Sequence, residues 1–280
     1  MVRDAGEQNM KSIRLPCLVL IGIGFFGGFA QGQQLPSNRI DFAYFVSGIT
    51  AELSPFAYRS LWTGLTVINP GTDPAEVEVR LLGPPMSADR VRLRRGDGAL
   101  GESLDNPFTL PPRSGLRLTI EIDQSGITIG HLQVSSNVPL AALEHVRLVD
   151  DLGGLGPIPI IRVLSEVQLP PAEAVSSFSI SVEETGAALT GLSIAPAEAD
   201  TPVHGTLTLI DSSGAEQGTQ EVTIQPGEQL VRQVVELLPA LADIRQGTVE
   251  GRFDGPVLVS ALGAGRANNR LERKLIASIE

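Results

Sequence analysis

The stretch Thr63-Gly64-Leu65-Thr66-Val67-Ile68-Asn69-Pro70 returns later in the chain as Thr190-Gly191-Leu192-Ser193-Ile194-Ala195-Pro196. Each is a short β-prone run stopped by a proline-containing turn, and a recurrence of this kind sets the number of modules. Working outward, an alternating strand follows each run: Val77-Glu78-Val79-Arg80-Leu81 in the first copy and Gly205-Thr206-Leu207-Thr208-Leu209-Ile210 in the second. Period-two alternation buries one face and wets the other, as in an antiparallel sheet. Phe108-Thr109-Leu110-Pro111-Pro112 then matches Val222-Thr223-Ile224-Gln225-Pro226. Finally, Gly130-His131-Leu132-Gln133-Val134 with Asn137-Val138-Pro139-Leu140 matches Gly247-Thr248-Val249-Glu250-Gly251 with Asp254-Gly255-Pro256-Val257. That last pair reads as a hairpin whose return strand opens on Pro, a position where the missing N–H costs no ladder bond.

Four matches in one order predict two tandem modules, each of about seven short strands and about 100 residues, the rhythm of an immunoglobulin-like β-sandwich. The first spans residues 38–148, with an insertion between Leu82 and Val91. The second spans residues 166–262. Residues 149–165 form a linker or shared edge strand, beginning with the acidic Asp150-Asp151 and continuing through Gly153-Gly154. Residues 263–280 form a tail. One helix is predicted over Gln229–Leu241, with Leu230, Val234, Leu237, Leu238 and Leu241 on one face, and a weaker helix within residues 267–280.

The pattern Trp62-Thr63-Gly64-Leu65 through Asn69-Pro70-Gly71, the Leu110-Pro111-Pro112 turn and Asn137-Val138-Pro139 resembles tandem β-sandwich repeats of largely uncharacterised secreted bacterial proteins. The resemblance covers most of the chain beyond its first thirty residues, and its motifs are turn chemistry. It implies export and an immunoglobulin-like fold, with no activity attached. The second copy lacks the Trp and the Asn of Asn-Pro.

Residues 1–30 read as a signal peptide. Lys11 and Arg14 flank an apolar run from Leu15 to Phe29, and Gly28-Phe29-Ala30 offers small residues for cleavage after Ala30. That run is shorter than the roughly 20 residues that span a bilayer. The reading places the chain in the periplasm, on the cell surface or outside the cell, with no membrane span after cleavage. Cys17 is the only cysteine and lies inside the run, so the mature chain has no disulfide, thiolate nucleophile or Cys-ligated metal. A net charge of −11 argues against nucleic acid as a partner, because phosphate binding draws on clustered Lys and Arg.

Catalytic patterns are missing: there is no Gly-x-Ser-x-Gly and no His-Glu-x-x-His. His131 and His145 flank the Asn137-Val138 turn, and a two-residue turn would set His131 opposite Glu144, a pairing more often structural than catalytic. Arg90-Val91-Arg92-Leu93-Arg94-Arg95 reads as a strand ending in a Gly96-Asp97-Gly98 turn, and the Arg95-Gly96-Asp97 tripeptide arises readily by chance. Six of the nine aromatics beyond residue 30 fall between Phe42 and Trp62. Phe42 and Phe45 are assigned to the first core. The loop-like Ser54-Pro55-Phe56-Ala57-Tyr58-Arg59, together with Trp62, has the aromatic-plus-Arg composition of interface hot spots. Phe56, Tyr58, Arg59 and Trp62 are therefore the candidate partner-binding residues, although Trp62 also suits a core position. The sequence thus predicts an exported, non-enzymatic structural or interaction protein with a protein or glycan partner and neither cofactor nor metal. Its alternatives are a periplasmic assembly chaperone of two immunoglobulin-like domains, anchored by Arg113 or Arg117, and a carbohydrate-binding module.

Overall fold

A computed structural model describes residues 35–280 except 55–56, 83–90, 96–99, 104–106, 123–126, 153–160, 186–187, 199, 266–269 and 280. The proposed signal peptide, the Leu82–Val91 insertion, Phe56 and the Gly96-Asp97-Gly98 turn lie wholly or largely outside the described residues. The described residues are all-β, with two antiparallel sheets and two single-turn helices among them.

The first sheet contains β1 (Ser37–Ser54), β2 (Ala57–Asn69), β3 (Ala75–Leu82), β4 (Val91–Arg95), β5 (Leu100–Ser103), β6 (Phe108–Leu110), β7 (Ser114–Ile122), β8 (Ile127–Asp151) and β9 (Ile161–Leu169). β8 pairs β1 and β3 in its first half, then β2 and β9 in its second. Because β1 also pairs β2, the three strands close on one another and the sheet approaches a barrel. Phe42, Phe45, Leu65, Val67, Val77, Val79, Leu118, Ile120, Leu132 and Val134 fill it, so Phe42 and Phe45 are core residues as expected.

The second sheet contains β10 (Ala174–Glu183), β11 (Ala188–Pro196), β12 (Val203–Ile210), β13 (Glu216–Ile224), β14 (Leu230–Gln233), β15 (Gln246–Gly265), β16 (Arg270–Arg273) and β17 (Ile276–Ser278), with α1 (Val234–Leu237) and α2 (Leu241–Ile244). It curls into a half-barrel. Its core is built on Phe178, Ile180, Leu192, Ile194, Leu207, Leu209 and Val249, and the Phe178 and Phe253 rings stack with centroids 6.2 Å apart.

The two sheets share a pairing scheme. β15 pairs β10, β11, β12 and β16 as β8 pairs β1, β2, β3 and β9, and β11–β14 and β12–β13 answer β2–β7 and β3–β6. Registers agree at the matched residues: Thr63 faces Val146 and Thr190 faces Gly263, while Val77 faces Ser136 and Gly205 faces Phe253.

Physical chemistry explains why those residues recur. Thr63 Oγ1 donates to the Val46 carbonyl (2.7 Å) and accepts the Val46 N–H (3.0 Å), and Thr190 does the same for Glu183 (3.2 and 3.0 Å). Each hydroxyl thus gives a backbone N–H and carbonyl a side-chain partner, in a buried site at Val46 and a part-buried one at Glu183. A Cβ on Gly130 would meet the Leu82 carbonyl at 2.8 Å, and one on Gly247 the Ile210 carbonyl at 2.6 Å, so only glycine permits the approach.

Several expectations are corrected. Asn137-Val138-Pro139 and Asp254-Gly255-Pro256 are bends inside single long strands, not hairpin turns, and the seven-short-strand rhythm fails for that reason. At each bend the strand changes partners, so the missing Pro N–H still costs no ladder bond. The Asn137 side chain accepts the Glu76 N–H (2.8 Å) and Asp254 accepts the His204 N–H (2.8 Å), so each polar residue completes the backbone of a neighbouring strand. His131 consequently stands opposite Leu82, while Glu144 stands opposite Leu65 and Leu169. The helix predicted over Gln229–Leu241 is a strand followed by two helical turns. The segment from Leu230 pairs with β11, and Pro239 blocks helix continuation between α1 and α2. The tail contains strands: β16 pairs β15 and β17 pairs β10. Asp150 and Asp151 end β8 within the ladder, and Ile161–Leu169 joins the first sheet as β9.

Candidate functional site

Tyr58, Arg59 and Trp62 lie on β2, not in a loop, because β1 and β2 pair up to Ser54 and Ala57 and leave only two residues between them. All three are half-buried. Alternation places Tyr58 and Trp62 on one face and Arg59 on the other. Arg59 donates to Asp150 through Nε (2.8 Å) and Nη2 (3.3 Å). That hydrogen bond holds the Asp150 carboxyl below the usual carboxylate range and raises the Arg59 guanidinium. Arg59 is thus engaged within the strand ladder, while Trp62 packs against none of the three apolar clusters of the described residues.

Trp62 belongs to a polar face that the sequence did not announce. Opposite it on β8 stands Arg147, and opposite Arg147 on β9 stands Glu166. Glu166 accepts Arg147 Nε through Oε2 (2.5 Å) and bonds His145 Nδ1 through Oε1 (3.0 Å), while Arg117 Nη2 on β7 approaches Oε1 at 3.6 Å. A carboxylate only accepts, so Nδ1 of His145 carries the proton. Its Nε2 lies 3.0 Å from Thr66 Oγ1, and in the neutral ring it accepts the Thr66 hydroxyl. Alternation would have grouped His145 with Arg147, and Trp62 with Thr66. The β8–β9 register that adds Glu166 crosses a glycine- and proline-rich segment and is not readable from sequence.

The same positions in the second sheet have the opposite character. By pairing register, Trp62, Thr66, Arg117, His145, Arg147 and Glu166 correspond to Leu189, Ser193, Val231, Leu262, Ala264 and Leu271. That face is covered: Leu262 and Leu271 pack with Val46, Val146 and Leu169 of the first sheet. Ser193 Oγ and Gln229 Nε2 donate to the Ala43 carbonyl, which a break in the β1–β8 register leaves available.

A carboxyl sits near that junction. Glu144 is fully buried, and neither of its oxygens has a hydrogen-bond partner. Burial pushes its pKa well above the carboxylate range. The Tyr44 phenol is raised by its own burial and, secondarily, by the Glu144 charge. Among the described residues no three His, Cys, Asp or Glu side chains gather as metal ligands do.

The class defined by these observations is an all-β protein of two antiparallel sheets, one nearly a barrel and one a half-barrel, built on a common pairing scheme. No protein-family model matches the chain, and no curated protein matches it in sequence.

Proposed function

We propose that the chain is an exported, non-enzymatic interaction protein of two tandem modules of immunoglobulin-like kind, and that the outer face of the first sheet meets its partner. The observation that carries this reading is the contrast between equivalent faces. In the second module the face is apolar and docks on a neighbouring sheet. In the first it presents Trp62 beside Arg147, His145, Glu166 and Arg117. Trp and Arg carry a disproportionate share of binding energy at interfaces. The test is expression of the full chain in a bacterial host, with fractionation and mass spectrometry of the mature N-terminus. A chain beginning at Gln31 outside the cytoplasm is expected; an intact chain retained in the cytoplasm would overturn export.

The exposed Ile161 and Val163 on β9 favour a second reading, an assembly chaperone that accepts an added strand. It requires that the chain bind a β-rich subunit and that Val163→Lys abolish the complex. Unchanged binding by that variant would dismiss it. Arg117, an anchor considered for such a role, instead joins the Glu166 cluster on the outer face.

A further inference from the structure

We propose that the face around Trp62 and Glu166 binds an acidic glycan, a chain of pyranose units bearing carboxylates; this names a ligand class for the interaction reading and rests on it. Three observations converge. First, a half-buried Trp outside the apolar clusters stands in the middle of a polar strand face, where an indole offers a flat surface to the C–H edges of a sugar ring. Second, two arginines and a histidine gather around a single carboxylate in a chain of net charge −11, so this patch runs against the sign of the whole molecule and complements an anion.

Third, the groups are pre-positioned. Glu166 uses both oxygens to hold Arg147 and His145, while Arg117 lies at 3.6 Å and is 46% exposed, so its guanidinium is within reach of a ligand carboxylate. Trp62 and Thr66 are four residues apart on β2, about 13 Å along the strand, with Arg117 directly opposite Thr66. Gly64 between them adds no side chain of its own and is buried beside His145, whose Cβ lies 3.8 Å from where a Gly64 Cβ would stand. One sugar ring stacks on Trp62, and a carboxylate further along the glycan pairs with Arg117.

The test is calorimetric titration of the full chain, at low salt, with polygalacturonate, with neutral dextran and with poly-glutamate. Polygalacturonate is expected to bind and dextran to bind at least about tenfold more weakly. Trp62→Ala and Arg117→Ala are each expected to weaken polygalacturonate binding by about tenfold or more. Trp62→Phe, which keeps a ring and guards against loss of packing, is expected to recover part of the affinity. Absence of polygalacturonate binding, or binding indifferent to Trp62, overturns the proposal. So does poly-glutamate binding of equal strength, which would reveal charge attraction alone. An exported chain that ignores polygalacturonate refutes the glycan assignment only; cytoplasmic retention refutes the export reading whatever the titration shows.

Discussion

Thr63→Val tests the account of the recurring threonine. Thr63 is fully buried, and its hydroxyl both donates to and accepts from the Val46 backbone. Valine keeps the branched shape and removes the oxygen, which leaves one buried N–H and one buried carbonyl without that partner. Each buried group left unsatisfied costs about 1–3 kcal/mol, and the two share one site, so a loss of about 2–4 kcal/mol is expected. For a chain of this size each kcal/mol moves the unfolding midpoint by about 2–4 °C, giving a drop of about 5–15 °C. Thr63→Ser keeps the hydroxyl and gives up one methyl, at about 0.8 kcal/mol. Thr190→Val removes the corresponding pair on Glu183, which is only part-buried, so its loss falls below that of Thr63→Val. The assay is thermal unfolding followed by circular dichroism on all three variants. A Thr63→Val midpoint within about 2 °C of the parent, or Thr63→Ser less stable than Thr63→Val, would refute the reasoning.

The buried Glu144 makes stability pH-dependent. Its pKa is raised in the folded state, so between the unfolded value near 4.3 and the higher folded value the native chain binds more protons, and stability falls as pH rises, by up to about 1.4 kcal/mol per pH unit. Glu144→Leu is expected to remove that part of the slope in urea unfolding between pH 4 and pH 9; an identical slope in the variant counts against it. Gly251→Ala drives a Cβ into the Phe178 ring and is expected to cost about 1–3 kcal/mol, whereas a Cβ on Gly191 meets nothing closer than 3.8 Å and Gly191→Ala is expected to be nearly neutral. Equal midpoints for those two variants would show that the close approach is not real. Asn137→Ala and Asp254→Ala each lose one acceptor for a backbone N–H, at about 0.5–1.5 kcal/mol, while Asn137→Asp and Asp254→Asn keep the accepting oxygen and stay close to the parent in thermal unfolding.

What the sequence reveals and what it hides divide along a physical line. Alternation and the ordered matches expose the strands and the repeat, because a strand's side-chain period is local. The bends at Asn137 and Asp254 have the sequence of hairpins, since a polar residue before Pro marks both a reversal and a change of partner. Leu230 to Leu241 carries a helical apolar spacing, yet pairing with β11 claims its first residues and Pro239 divides the rest. Trp62 was visible as a candidate, but its companions Arg147 and Glu166 come from strands whose register is set by tertiary structure. Arg59, equally visible, is tied to Asp150 on the opposite face.

The residues shared by the two sheets and those that differ answer to different constraints. Thr63 and Thr190, Gly130 and Gly247, and Asn137 and Asp254 serve the backbone: a hydroxyl for an unpaired strand segment, room for a carbonyl, an acceptor for a lone N–H. Few side chains meet such needs, so two sheets with one pairing scheme require the same kinds of residue. The outer face around Trp62 is free of that demand, because either polar or apolar side chains fit its ladder. There the choice depends on what lies against the face. Leu262 and Leu271 are apolar where the second sheet meets the first, and Ser193 spends its hydroxyl on the Ala43 carbonyl. At the matching positions His145 and Glu166 bond each other, and Thr66 bonds His145. A face that needed only to be solvated would be served by any polar residues. On the glycan proposal the indole at Trp62, opposite Arg147 and its partner Glu166, is the ring-stacking surface of that face, a role that solvation does not supply.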